Sequence, residues 1–297
     1  MAIIDRLLAP DSGFQKNFFF LAKRFVAGET IESAIAAVRA LNSAGMTATL
    51  DYLGEDVLER DAAVATREAY VAVLGRIHES GVQSNVSVKM SAMGLLINQD
   101  FAFENLSGIL HFAQRNPDPF VRIDMEGSAV TQVTLDLFER AYANDKNVGI
   151  VLQAYLKRTP ADVAHAITLG ARVRLCKGAY NEPPELAIKE MPLIRAQYLT
   201  LAKELLERGN YPALATHDRE LIDQIRTYVR ARGIAPNSFE FQMLYGCRPQ
   251  LQHELVAEGF RMRVYVPYGT HWAGYFFRRV VERRENALFA LSSLWSK

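Results

Sequence analysis

The sequence predicts an α/β fold, a closed (β/α)8 barrel, on three observations. Eight short runs rich in β-branched and apolar residues recur along the chain: MTATLDYL (46–53), NVSVKM (85–90), FVRIDM (120–125), VGIVLQAY (148–155), RVRLCKG (172–178), ALATH (213–217), FEFQML (239–244) and RMRVYV (261–266). Between them lie stretches whose apolar residues recur at three- and four-residue intervals, so strands alternate with helices, the pattern of parallel strands joined by crossover helices. Eight such units over about 240 residues match the barrel in count and length. A doubly wound open sheet is the alternative, but nothing marks a reversal of strand order.

The elements follow in order. Residues 1–45 read as a helical arm of two helices, FQKNFFFLAKRFV (14–26) and TIESAIAAVRALNSAG (30–45), the second with Thr30 as N-cap. Residues 46–297 then form the barrel as one domain, with helical periodicity over 55–80, 128–144, 184–209 and 219–233. After the eighth run come Pro267 and Gly269, and a last helix opens near Trp272. It carries Tyr275, Arg278, Arg279 and Glu282. Residues three and four apart share a helix face, so Tyr275 lines up with both arginines and Glu282 lies one turn beyond. Two guanidiniums beside an aromatic ring suit a small carboxylate, because arginine offers rigid paired donors. A solvated helix with an Arg278–Glu282 pair explains the motif equally well.

Composition narrows the function. The chain has 297 residues, is 49% hydrophobic and carries a formal net charge of +1, which gives no field for nucleic acid. Its two cysteines, Cys176 and Cys247, lack the spacing of a disulfide framework or a zinc site, and no metal is expected. No window approaches the ~18 apolar residues of a membrane span. A soluble, cytoplasmic protein is expected.

In a barrel, chemistry sits at the carboxyl ends of the strands. Those ends give Asp51 and Glu55, Lys89, Asp124 and Glu126, Gln153, then Arg174, Lys177 and Tyr180, then Thr216, His217 and Asp218, Gln242, and Tyr265. Every end carries a group able to hydrogen-bond or bear charge, and the mix favours an anion. Singly, each has a plainer explanation: Lys89 as a solvated lysine, Asp124 as a strand-end cap, Cys176 as a small buried residue. His217 lacks the companions of a zinc site. The dinucleotide-binding G-x-G-x-x-G, the P-loop and the G-x-S-x-G elbow are all missing. On residues alone, a Schiff-base lyase using Lys89 or Lys177 and a non-catalytic anion-binding barrel remain open.

The motifs LDYLGE (50–55), SVKMSAMG (87–94), DMEG (124–127), QAYLKR (153–158), VRLCKGAY (173–180), ATHD (215–218), FQMLYG (241–246) and YxxRRxxE (275–282) run in one order from Leu50 to Asn286. In this the chain resembles the proline dehydrogenases of the monofunctional bacterial type. RLCKGAY and YxxRRxxE are the specific pieces. The departure is Asp218, where that family more usually has Asn.

The resemblance implies a distorted barrel whose last helix lies over the mouth, and FAD bound without a dinucleotide-binding domain. It implies cofactor contacts from Met125, Gln153, Arg174, Lys177, Gly178, Ala179, Thr216, His217, Gln242 and Glu282, with Arg174 near flavin N5. Lys89, Arg278 and Arg279 would hold the carboxylate of L-proline, and Tyr180, Leu244, Tyr265 and Tyr275 would form the slot for its ring. Asp124 would sit under that ring and order Lys89 and the tyrosines, so that Asp124, Arg174 and Tyr265 are the catalytic set. Glu55 would gate the mouth by pairing with Arg278. The product would be Δ1-pyrroline-5-carboxylate. Electrons would pass to a quinone, which implies peripheral membrane contact, and a pyrroline-5-carboxylate dehydrogenase is the partner for the product. A flavin enzyme for hydroxyproline is the nearest rival, with Tyr265 crowding a 4-hydroxyl.

Overall fold

The computed structural model describes residues 22–281, with side chains through Phe276. Its strands are β1 (Thr47–Tyr52), β2 (Ser84–Val88), β3 (Val121–Ile123), β4 (Val148–Gln153), β5 (Arg172–Cys176), β6 (Ala213–Ala215), β7 (Glu240–Leu244) and β8 (Arg261–Tyr268). They close into one barrel in chain order, with β1 and β8 parallel and paired from Thr47↔Arg263 to Tyr52↔Tyr268. All eight expected strands form.

Helices α1 (Ile31–Ser43), α2 (Arg60–Ser80), α3 (Gln99–Ala113), α4 (Ser128–Asn144), α5 (Thr159–Leu169), α6 (Met191–Arg208), α7 (Arg219–Arg232), α8 (Pro249–Ala257) and α9 (Trp272–Val281) precede, separate or follow the strands. Thr30 caps α1 through Ser33 in a reciprocal capping box. Most of the expected 14–26 helix lies outside the described residues. Two helices begin later than their periodicity predicts. In α2, residues 55–59 are loop, and in α6 the start falls beside Pro192, whose fixed φ and missing N–H suit a first turn. Helix α1 places Ala34, Ile35 and Val38 in the same core as β1 and β8, so it belongs to the outer layer of the barrel.

Alternation along the strands separates two environments. Ala48 and Leu50, Val86 and Val88, Val173 and Leu175, Phe241 and Met243, and Val264 and Val266 are buried in the apolar shell beneath the helices. Their neighbours point into the barrel and are mostly polar. Tyr265 on β8 reaches Asp124 beyond β3, and Arg174 on β5 reaches Ser87 on β2. Such bonds join strands that are not neighbours, so they cross the interior. Lower in the barrel, Arg263 bonds Glu240 at 3.0 and 3.1 Å and Asp118 at 3.4 Å, Asn85 reaches Asp118 at 3.0 Å, and Thr49 reaches Asn85 at 2.6 Å. Branched apolar side chains usually fill this space in layers. Here it holds a column of charges and hydroxyls, and the helix-facing shell carries most of the hydrophobic burial.

Helix α9 follows β8 after three residues. Its Trp272, Ala273, Tyr275 and Phe276 form a separate apolar cluster with Ala22, Val26 and Leu53, at the carboxyl rim beside β1. The last helix therefore packs on the mouth side, as the resemblance implies.

Candidate active site

The mouth is organised by Asp124, one residue past β3. Its Oδ1 accepts from Arg174 Nη1 at 2.7 Å and Ser87 Oγ at 2.6 Å, and its Oδ2 accepts from Tyr265 OH at 2.7 Å. Arg174 also donates to Ser87 Oγ at 3.2 Å, and its guanidinium lies 5.3 Å from the centre of the Tyr265 ring. Burial and the Asp124 carboxylate push the Tyr265 phenol well above its ordinary range, so it is a fixed hydroxyl donor.

Lys89 stands beside this hub. Its ammonium bonds both oxygens of fully buried Asp51 at 3.1 Å. Lys89 was expected to be ordered by Asp124; its hydrogen-bonding carboxylate is Asp51, and Asp124 acts on it only through its field. Burial alone would strip the proton from Lys89, but the carboxylates of Asp51, Asp124, Glu55 and Glu126 outweigh it and raise its pKa. Tyr70 on α2 fixes the arrangement from outside, with its hydroxyl 2.7 Å from the Ser87 carbonyl and 3.3 Å from Asp51 Oδ1. A buried ion pair contributes little net stability over an apolar pair, although removing one partner alone is costly.

Around the rim, Glu126 accepts from the Ser91 backbone at 3.0 Å and from its hydroxyl, and burial raises its pKa against those bonds. Gln153 donates to the Glu126 carbonyl at 3.1 Å and accepts from Ala179 N–H at 3.4 Å. Gly178 has φ +123°, and a Cβ there would lie 2.1 Å from the Tyr155 ring, so this position excludes any side chain. His217 Nε2 accepts from Leu244 N–H at 2.9 Å, which ties β6 to the end of β7. Gln242 turns down the barrel and donates to Glu240. Lys177 Nζ and Arg195 Nε both reach Asp218 Oδ2, at 2.8 and 2.7 Å. Met125 and Thr216 are buried, Tyr180 and Leu244 half-buried, and Tyr275 sits in the rim cluster. The half-buried loop residue Glu55 lies close enough to bear on Lys89 and Glu126. The side chains of Arg278 and Arg279, and Glu282, lie outside the described residues. Among the described residues, no three His, Cys, Asp or Glu side chains converge on a metal position. No described helix is long and apolar enough to cross a membrane.

Ser87, Ser91, Tyr70 and Arg195 escaped the sequence reading. Ser87 was findable, since Asn85, Ser87 and Lys89 are the polar members of one alternating strand. Tyr70 and Arg195 sit in helices and carry no local signal of inward reach.

Lys89 and Tyr265 hold their protons more tightly folded than unfolded. Their contribution to stability is present in full below the unfolded values, about 10.4 for Lys and 10 for Tyr, and is lost as pH rises through the folded ones. Asp218 is opposite in sign. Burial alone would raise it, but bonds from Lys177 and Arg195 hold it low, so its contribution is present above its unfolded value and lost as pH falls through the folded one. Burial raises the carboxyls of Asp51 and Glu126, so their share is lost as pH rises through their folded values. Urea midpoints are expected to fall further above about pH 10, and a profile that stays flat from about pH 9 to 11 would contradict the assignments of Lys89 and Tyr265.

A closed parallel barrel whose charged and hydroxyl side chains converge at the carboxyl ends of its strands defines a (β/α)8-barrel enzyme. Comparison with known proteins narrows the class. The family model described as Proline dehydrogenase matches residues 34–291, and the chain belongs to that family. Proline dehydrogenase 2 of Bacillus subtilis (strain 168) is 40% identical over 276 residues, covering 93% of this chain and 91% of that protein. The proline dehydrogenase of Deinococcus radiodurans is 39% identical over 285 residues, covering 94% and 92%. Among solved structures, proline utilization A from Bdellovibrio bacteriovorus superposes with a TM-score of 0.83 at 27% identity, over 91% of this chain. The match covers 34% of that longer chain.

Proposed function

We propose that this chain oxidises L-proline to Δ1-pyrroline-5-carboxylate with FAD as its cofactor and a quinone as the electron acceptor, the first step of proline catabolism. The observation that carries the reading is the Asp124 hub, which locks Arg174 and Tyr265 in place next to Lys89, whose ammonium is bonded to both oxygens of Asp51.

The residues present fit a flavin. Arg174 Nε is buried and finds no acceptor among the described residues, a donor left over at the mouth after Asp124 and Ser87 are served. Arg174, Lys177, Gly178, Ala179, Met125, Gln153, Thr216, His217 and Gln242 would hold the cofactor, with Glu282 beyond them. FAD supplies the acceptor for the hydride equivalent that leaves proline C5.

The chain's own part is binding and orientation. Lys89, with Arg278 and Arg279, would receive the proline carboxylate. Tyr180, Leu244, Tyr265 and Tyr275 would enclose the ring and exclude water. Asp124 keeps Arg174 aimed and Tyr265 protonated, so both act without rearrangement.

The charge state of the lysines supports this reading over the lyase. A Schiff-base lysine must shed its proton. Lys89 sits among carboxylates that retain it, and Lys177 is paired to Asp218.

The test is the visible spectrum of the purified protein, followed anaerobically as L-proline is added. A flavin band that bleaches is the expected result. Flavin that stays oxidised would move the substrate to another imino acid. Protein that remains colourless after incubation with FAD would overturn the flavoenzyme reading.

A further inference from the structure

Asp218 occupies the N-cap position of α7, with extended backbone (φ −80°, ψ 108°), yet its side chain makes no capping bond. Aspartate there ordinarily accepts from the first turn, worth about 1 kcal/mol. Its Oδ2 is instead shared by Lys177 Nζ and Arg195 Nε. The side chain is 7% exposed, its backbone N–H is fixed by Thr216 Oγ1 at 3.1 Å, and Lys177 and Arg195 hold its carboxyl below the ordinary range. Arg195 is 40% exposed and also reaches Glu220, at 3.4 Å. Two cations are thus drawn together at the rim, Lys177 three residues along from Arg174, and one buried carboxylate answers both.

We infer that Asp218 is a built-in counter-charge that holds Lys177 and Arg195 together as a seat for the cofactor's diphosphate and weakens that seat so that binding stays moderate and reversible. The inference rests on the flavoenzyme reading and adds Arg195 and Asp218 to it as positioning residues. A diphosphate must compete with Asp218 for the same two donors. Asparagine, which still accepts through its amide oxygen but carries no charge, removes the competition and keeps an acceptor for both donors.

The experiment is titration of the full chain, washed free of flavin, with FAD, read by quenching of flavin fluorescence at NaCl from low to high concentration. Asp218→Asn is expected to lower Kd about tenfold at low salt and to steepen its salt dependence, since one opposing negative charge is removed from beside the ligand. Asp218→Ala, which also removes the shared acceptor, is expected to bind more weakly than Asp218→Asn. Circular dichroism establishes that each variant is folded, and a purely structural role for Asp218 would not move the salt slope in this direction. An Asn variant that binds FAD equally or more weakly overturns this inference and leaves the flavoenzyme reading standing. No FAD binding by any of the three chains overturns both.

Discussion

Asp124→Ala is expected to lower kcat/KM for L-proline by about two to three orders of magnitude, with most of the loss in kcat. The carboxylate is the common acceptor of Arg174, Ser87 and Tyr265. Without it a buried guanidinium loses its ion-pair partner and a buried phenol its acceptor, and both become free to turn. Misplacing such groups by about 1 Å costs on the order of 100-fold in rate. Asp124→Asn preserves shape and one acceptor and should fall between the two, whereas a purely structural role would set both variants by their stability. Steady-state kinetics beside thermal melts separate these. An alanine variant within about twofold of the parent, folded and saturable, would remove Asp124 from the catalytic set.

Gly149→Ala is expected to be strongly destabilising for so small a substitution, at about 2–4 kcal/mol. A Cβ there would lie 2.5 Å from the Arg172 carbonyl, 2.5 Å from the Phe120 ring and 2.7 Å from Arg122 Nη1. None of these can give way easily. The carbonyl belongs to β5, paired with Gly149 in register, and Arg122 donates to the Ile150 and Arg172 carbonyls while stacked on Phe120 at 4.6 Å. Urea unfolding should show a lower midpoint with an unchanged slope. A loss below about 0.5 kcal/mol would mean that β4 and β5 can spread apart here.

How far each feature could be read beforehand depended on the range of the interaction behind it. The eight strands and the Thr30 cap follow from local pattern, and the structure contains all of them. The rim residues were legible because a parallel barrel puts its strand ends in one place. Which rim residues bond which was not legible. Lys89 and Asp51 are 38 positions apart, and Tyr265 and Asp124 are 141 apart. Nothing in either neighbourhood says that Asp51 rather than Asp124 receives the lysine. The polar interior was hidden for another reason. Alternation such as RVRLC ordinarily marks a strand with one face in water, and here that face is turned inward against other strands.

That inward column has an evolutionary consequence. An apolar core can drift through one tolerated swap after another, because leucine, isoleucine and methionine substitute for each other at small cost. Inside this barrel many side chains are answered by a specific partner elsewhere in the barrel, and a lone replacement strands the group it leaves behind. Change at Glu240 asks for change at Arg263, and change at Asp51 for change at Lys89. Lineages descended from this chain should diverge freely on the helix-facing side of the strands and move on the inner side only in couples.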